Sequence, residues 1–417
     1  MKIKKSSSIN KNEEESINII NKNYISIKKM QTKKSSYIYN IFIIIIIILN
    51  LIILNFENQN YRIKAIIKSR HYMDKCLKGV LINNNINMTI NNSPKITVII
   101  PVYNCQDSIK ASVRSIQNQK FLDFEIILVN DLSTDNSLNI IKELQKEDKR
   151  IKIINNKKNM GTLYSRSMGV LSSRGKYIFP LDNDDLFLKE NLFDVIYNEA
   201  EKNNYDIVGF KAIRAESYNC KISDFSDDIF HDYDNNSIFY QPELSLLSIS
   251  KNDEYFIRDV HIWGKCIKTT LYKNATNTFG EKRYSTFMIW AEDTSMVFVL
   301  FNIAQTFKFL WEYGIFHFIS EKTASCSQPS ENNMFGDIFT LDIYFDFTKN
   351  TFKDKKYVVS KVFEIRNSKF FDLSKKNRNY LKEVFKKIMD CKYINDEDKH
   401  EIKEKYHEFD LFNKSSI

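Results

Sequence analysis

KITVIIPVYN, residues 95–104, decides the fold. Its first seven residues are mostly apolar and rich in β-branched side chains, with little polar alternation, as in a strand covered on both faces. It then breaks into a polar turn. FEIILVN (124–130) reads as a second such strand, and RIKIINN (150–156) and KYIFPL (176–181) as a third and a fourth strand. The stretches between them have helical spacing. Ile109, Val113 and Ile116 mark 105–118, and Leu138, Ile140, Ile141 and Leu144 mark 135–145, with a third helix expected over 162–173. Strand and helix alternating at this pitch predict an α/β fold with a doubly wound, mostly parallel sheet. Ligands of such sheets sit outside the carboxyl ends of the strands. That rule selects residues 101–105, 130–135, 155–161 and 182–185, all polar or acidic. Further strands are expected at DIVGFKA (206–212) and YGIFHFI (313–319), and Lys-rich amphipathic helices from about 340 to 410.

Upstream, residues 37–56 (YIYNIFIIIIIILNLIILNF) carry no charge over 20 positions. That length suits a helix crossing a hydrocarbon core of about 30 Å. A long polar tail precedes it and no small-residue cleavage site follows, so an anchor is favoured over a cleaved signal peptide. Residues 1–36 hold nine Lys against three Glu, which places the tail in the cytoplasm and the remainder in a lumen. The expected organisation is a tail (1–36), a transmembrane helix (37–56), a stem (57–93), a main domain (94–330) and a helical extension (331–417). Localisation is expected to be single-pass type II, in the Golgi or endoplasmic reticulum. Sequons at Asn87, Asn91, Asn235, Asn274 and Asn413 suit a lumenal domain.

The chain has 417 residues, 43% hydrophobic and 27% charged, enough for a substantial core. Its net charge of +9 comes from lysines spread along the whole length, so a nucleic-acid-binding arm has no support. Six cysteines without a C-x-x-C pair give none for a zinc knuckle or redox motif.

Three acids, Asp182, Asp184 and Asp185, follow the fourth strand directly. Hard oxygen donors there suit Mg²⁺ or Mn²⁺ holding a diphosphate, although an acidic turn capping the next helix would read the same way. In VNDLSTD (129–135), Asp131 can accept the N–H of a uracil-type base, while Asp135 is placed as a helix N-cap.

PVYN (101–104), VNDLSTD (129–135), NMGTLYSRSMG (159–169), RGKYIFPLDNDD (174–185) and WAEDTSM (290–296) together resemble the family 2 glycosyltransferases, and WGKCIKTTL (263–271) echoes a further stretch of that family. The resemblance covers residues 95–325 and implies the GT-A fold, with a Rossmann-like nucleotide half. It implies that Pro101, Val102 and Tyr103 line the base pocket, that Asp131 holds the base, and that Arg166 lies near the nucleotide. Asp182 and Asp184 would form the metal-binding DxD pair, with Asp184 the closest ligand. Glu292–Asp293 matches the family's ED pair, whose second acid, Asp293, would be the general base of an inverting transfer. Gly161, Gly169 and Gly175 read as backbone requirements. Ser165 and Ser167 depart from the family's usual Ala and Asn.

The expected partners are a nucleotide-sugar donor, a UDP-sugar by preference, a glycan, protein or lipid acceptor, and the membrane. Two other readings stay open: a non-catalytic nucleotide- or glycan-binding protein on the same fold, and a cytosol-facing transferase acting on a lipid phosphate. His317 and the acidic stretch 223–236 have bland readings as a strand histidine and a solvated loop. Of Trp263, Trp290 and Trp311, which could form a sugar-stacking platform, at least two read as core packing.

Overall fold

The computed structural model describes residues 92–215, 226–227, 237–241, 261–285, 287–288 and 291–318, with shorter pieces at 44–49, within 60–80, and at scattered positions beyond 338. The expected C-terminal helices, the acidic stretch apart from 226–227, Trp290, and every sequon asparagine but Asn274 lie outside the described residues. The chain divides into two units, Met1–Lys64 and Ala65–Ile417. In the first, residues 44–49 of the apolar run are helical. No helix among the described residues is long and apolar enough to cross a membrane; the rest of 37–56 is not described.

The second unit is built on one sheet. Strands β1 (Ile96–Val102), β2 (Phe124–Asn130), β3 (Ile151–Asn155) and β4 (Tyr177–Pro180) lie side by side in the order β3-β2-β1-β4, all parallel. Helices α1 (Ile109–Gln117), α2 (Ser137–Glu147) and α3 (Thr162–Ser172) make the crossovers. Side-chain alternation along the strands divides the core into two layers. Ile96, Val98, Ile100, Phe124, Ile126 and Leu128 join Val113, Ile116 and Ile141 on one face. Ile99, Ile127, Val129 and Ile178 join Leu163 and Val170 on the other. Burial on both sides explains why β1, β2 and β4 read as near-continuous apolar runs, whereas β3, at the edge of the sheet, leaves Lys152 and Asn155 exposed. Each such side chain contributes roughly 1.5–3 kcal/mol of transfer free energy.

The other half of the sheet corrects the expectation of a mostly parallel array. Strand β9 (Lys265–Lys268) runs antiparallel between β4 and β6 (Ile207–Ala215), and β10 (Thr306–Phe318) lies beyond β6. Strand β10 pairs in parallel with β6 but antiparallel with the short strands β5 (Leu186–Phe187) and β8 (Ile238–Tyr240); β7 (Ser226–Asp227) pairs with β6. The sheet is therefore mixed. Strand β10 starts seven residues before the expected 313–319, because Lys308 and Glu312 break the apolar pattern while the backbone continues. Helices α4 (Leu192–Lys202), α5 (Thr269–Phe279), α6 (Glu281–Tyr284) and α7 (Glu292–Ile303) complete the set.

Part of the expected stem packs on this domain. Residues 72–77 are helical, and the Tyr72 hydroxyl donates to the Ser115 carbonyl on α1 at 2.6 Å. The Asn118 and Arg114 side chains donate to the carbonyls of Val80 and Gly79.

Candidate active site

The carboxyl ends of β1 and β2 are tied together by side chains replacing absent ladder bonds. The Asp131 amide donates to the Val102 carbonyl at 2.8 Å. Asn104, held at φ 46°, accepts from the Thr134 amide, and the Cys105 amide donates to the Ser137 hydroxyl. Asp135 accepts from the amides of Gln106 and Ser137. Asn136 occupies the N-cap position of α2 and makes no side-chain cap bond, so Asp135 does the capping from one residue earlier. Pro101 and Val102 are buried at the end of β1, whereas Tyr103 is 44% exposed. Leu132, also exposed, is held at φ 59°, a left-handed conformation that costs a non-glycine residue free energy and gathers at functional sites.

Asp131 is buried and its carboxylate is occupied. One oxygen accepts from Asn156 at 2.7 Å and from the Met160 amide at 2.9 Å; the other accepts from the Gly161 amide at 2.8 Å. It thereby fixes the loop before α3. Gly161 is at φ 85°, and an added Cβ would lie 2.5 Å from the Met288 carbonyl oxygen. The loop pairs there with Met288, whose carbonyl accepts from the Thr162 amide at 2.8 Å. Asp131, the glycine loop and the segment entering α7 thus form a connected series. A bound base would meet an Asp131 already engaged by three donors.

At the end of β4, the Asn183 amide donates to the Pro101 carbonyl and the Ser112 hydroxyl to the Asn183 carbonyl, which holds the acidic turn against β1 and α1. Asp182 and Asp184 flank Asn183. Burial and then repulsion from Asp182 push the Asp184 carboxyl up to about 6, with His317 acting in the opposite direction. Asp185 is fully buried; one oxygen accepts from the Phe318 amide at the end of β10, the other meets no donor, and burial holds its carboxyl well above the usual range.

Arg166, on α3 and buried, joins the acidic turn to α7. Its Nη2 donates to Asp182 Oδ1 at 2.8 Å and its Nη1 to Asp293 Oδ1 at 2.5 Å, with Glu292 Oε1 at 3.6 Å from Nη1. Burial opposes the guanidinium charge, but Asp293, Asp182 and Glu292 outweigh it and hold the proton above the ordinary value. The Asp182 carboxyl is raised by burial and by Asp293, against the pull of Arg166. The other oxygen of Asp293 accepts weakly from the Ile262 amide at 3.3 Å. Helix α7 begins just after Ala291, a further left-handed residue at φ 58°.

The structure therefore brings Arg166, Asp182 and Asp293 into direct contact, sets Asp184 one residue beyond Asp182's neighbour, and places Pro101, Val102, Tyr103 and Asp131 at the adjoining strand ends. Sequence reasoning did not find the Asn156–Asp131 bond, the burial of Glu292, or the fully buried Lys265, which donates to the His261 carbonyl. Trp263 is buried against the rings of His261 and His317, at centroid distances of 4.5 and 4.6 Å, and Trp311 carries Lys211 over its face. Trp263 is thus a packing residue.

Residues 97–243 match the model for glycosyl transferase family 2. An uncharacterized glycosyltransferase of Haemophilus influenzae is 41% identical over 114 residues, covering 27% of this chain and 35% of the relative. The uncharacterized glycosyltransferase EpsJ of Bacillus subtilis is 29% identical over 219 residues, 52% of this chain and 59% of the relative. A GalNAc(5)-diNAcBac-PP-undecaprenol beta-1,3-glucosyltransferase of Campylobacter jejuni is 38% identical over 109 residues, 26% of this chain and 35% of the relative. The chain spans between 35% and 59% of the length of these relatives. Among solved structures, residues 1–349 of S. aureus TarS in complex with UDP-GlcNAc align with a TM-score of 0.54 at 15% identity, over 76% of this chain and 89% of that one; that likeness speaks to the fold. Motifs, sheet and family match agree: this chain carries a glycosyl transferase family 2 domain on a GT-A-like fold.

Proposed function

We propose that the chain is an inverting glycosyltransferase that moves a sugar from a nucleotide donor, a UDP-sugar by preference, to a hydroxyl acceptor. The observation that carries this reading is the Arg166 bridge. It unites the acid turn after β4 with the acid at the start of α7, at the ligand-binding end of the parallel strands. The nucleotide would lie along Pro101, Val102, Tyr103 and Asp131, with its diphosphate toward Asp182 and Asp184. Asp293 would take the proton of the acceptor hydroxyl as that oxygen attacks the anomeric carbon. The bond from that carbon to the diphosphate breaks, the nucleoside diphosphate leaves, and the sugar centre inverts.

The donor set suits a hard divalent cation, Mn²⁺ or Mg²⁺. Asp184 is a half-buried carboxylate whose charge is disfavoured by burial and by Asp182, so a cation there would relieve both. Among the described residues no group of three or more His, Cys, Asp or Glu is gathered to hold a metal, so substrate oxygens and water would complete the shell, as is usual for Mg²⁺. Asp184, with Asp182, would hold the ion, which when bound supplies positive charge to the departing diphosphate.

The acceptor is proposed as a sugar hydroxyl on a glycan, protein or lipid carrier. The Campylobacter relative, a glucosyltransferase for an undecaprenol-linked saccharide, favours the lipid-linked class. Residues 37–56 are proposed as a single membrane anchor with the domain in a lumen, of the endoplasmic reticulum or Golgi. Glycosylation at Asn274, which is exposed on α5, would support that orientation; an unmodified, cytosol-accessible Asn274 would reverse it.

The test is turnover of a panel of UDP- and GDP-sugars by the full chain with Mn²⁺, beside Asp184→Ala. Metal-dependent release of nucleoside diphosphate from one donor, lost in the variant, is expected. A folded protein that neither binds nor turns over any nucleotide would favour the non-catalytic reading.

A further inference from the structure

Glu292 has a role distinct from that of its neighbour Asp293, and the surroundings of Arg166 define it. One guanidinium is ringed by three acids from two other elements: Asp182 from the end of β4, and Glu292 and Asp293 from the first turn of α7. Glu292 and Asp293 face the same Nη1, so with both ionised Arg166 would leave one of their two charges uncompensated in a largely buried site, even where a cation takes up the charge of Asp182. Such charge is expensive, and a proton taken up by one acid relieves it.

Geometry selects which acid. Asp182 and Asp293 receive direct, charge-assisted bonds of 2.8 and 2.5 Å, the contacts that reward an ionised carboxylate most. Glu292 stands back at 3.6 Å, and its side chain is the least exposed of the three, 10% against 19% for Asp293 and 33% for Asp182. Among the described residues the further titratable neighbour is Tyr272, buried on α5, whose hydroxyl burial pushes up and so keeps neutral.

Resting on the transferase reading above, we infer that Glu292 carries a proton at neutral pH and acts as a positioning residue. Held neutral, it leaves the charge of Arg166 to Asp293 and Asp182, so that the base stays aimed while the acid turn is held beside it. Burial and then repulsion from Asp293, opposed by Arg166, push the Glu292 carboxyl up to about 8, in keeping with that state. Ionisation of Glu292 at higher pH would make it compete for the same Nη1 that holds Asp293, loosening the base. The transfer rate is therefore limited on the alkaline side by Glu292, a residue that need not touch substrate.

The test uses the full chain, wild type beside Glu292→Gln, with two readouts. In the first, infrared difference spectra at pH 7 are expected to show a protonated-carboxyl band in wild type that Glu292→Gln removes and that fades as pH is raised through about 8. In the second, the alkaline decline of the transfer rate is expected to move up by about one pH unit or more in Glu292→Gln, since the group that titrates there is gone. An ionised-carboxylate band lost on substitution, an alkaline limb that stays in place, or loss of transfer at every pH in a folded Glu292→Gln would each overturn the inference. If wild type transfers from no donor, the transferase reading fails, while the infrared band still decides the state of Glu292.

Discussion

At the scale of single residues, the site is held by charges set against burial. Arg166 is the clearest case. Its replacement by Met leaves Asp182, Glu292 and Asp293 without their cation, and removal of one partner from a buried pair costs roughly 3–5 kcal/mol. Urea unfolding of Arg166→Met should show a loss of that order. Arg166→Lys should recover only part of it, because an ammonium cannot serve two carboxylates through a planar fork. Glu292 makes a second prediction, about pH. Its folded carboxyl lies near 8 against an ordinary value of 4.5. Between those values the folded chain binds more protons than the unfolded one, so this group makes stability fall as pH rises through the window. Glu292→Gln abolishes that dependence. Its Tm relative to wild type should therefore rise steadily from pH 5 to 8; a difference independent of pH would show that Glu292 is already ionised when folded. None of this was visible in the motifs. Arg166 and Asp293 are 127 positions apart, and no spacing rule predicts that three acids share one guanidinium. The sequence did expose the residue types, since Asp131, Arg166, Asp182, Asp184 and Asp293 all stand at motif positions.

At the scale of elements, the legible parts were those with a period. Strand β2 begins and ends where its apolar run does, and β1 and β4 are displaced by only a residue or so, because two-sided burial writes itself into composition; the edge strand β3 is displaced as little. Strand β10 was cut short in the reading by Lys308 and Glu312, whose side chains interrupt the pattern without ending the strand. Residues 57–93 were read as a stem without an assigned element; within them, residues 72–77 form a helix that meets α1 through Tyr72. The loop before α3 was read correctly as glycine-dependent, and the structure supplies the reason. Gly161→Ala would need a left-handed backbone as well as space that the Met288 carbonyl occupies. It should cost roughly 1–3 kcal/mol in unfolding measurements, and it should weaken transfer, because the same loop adjoins the segment entering α7. Asp131→Asn sets an amide group against an amide donor of that loop and should cost about 1–3 kcal/mol. A neutral effect on stability would mean that Asp131 does not hold the loop.

At the scale of the whole molecule, the two halves of the sheet divide the work. The parallel half supplies the four strand ends along which a nucleotide is proposed to lie, and the mixed half brings α7 and β10 to the same side with the acids and His317. A parallel half could be read from alternating elements. The mixed half could not, because β9 has four residues and its antiparallel place between β4 and β6 depends on pairings distant in sequence. Asp293 is the residue proposed to make this fold a transferase. The direct test measures nucleoside diphosphate binding and sugar transfer on the same samples of wild type and Asp293→Asn. Binding within a few-fold of wild type, with transfer reduced by roughly 10²–10⁴, is the predicted result for loss of a general base. Transfer at the wild-type rate in Asp293→Asn would contradict the account.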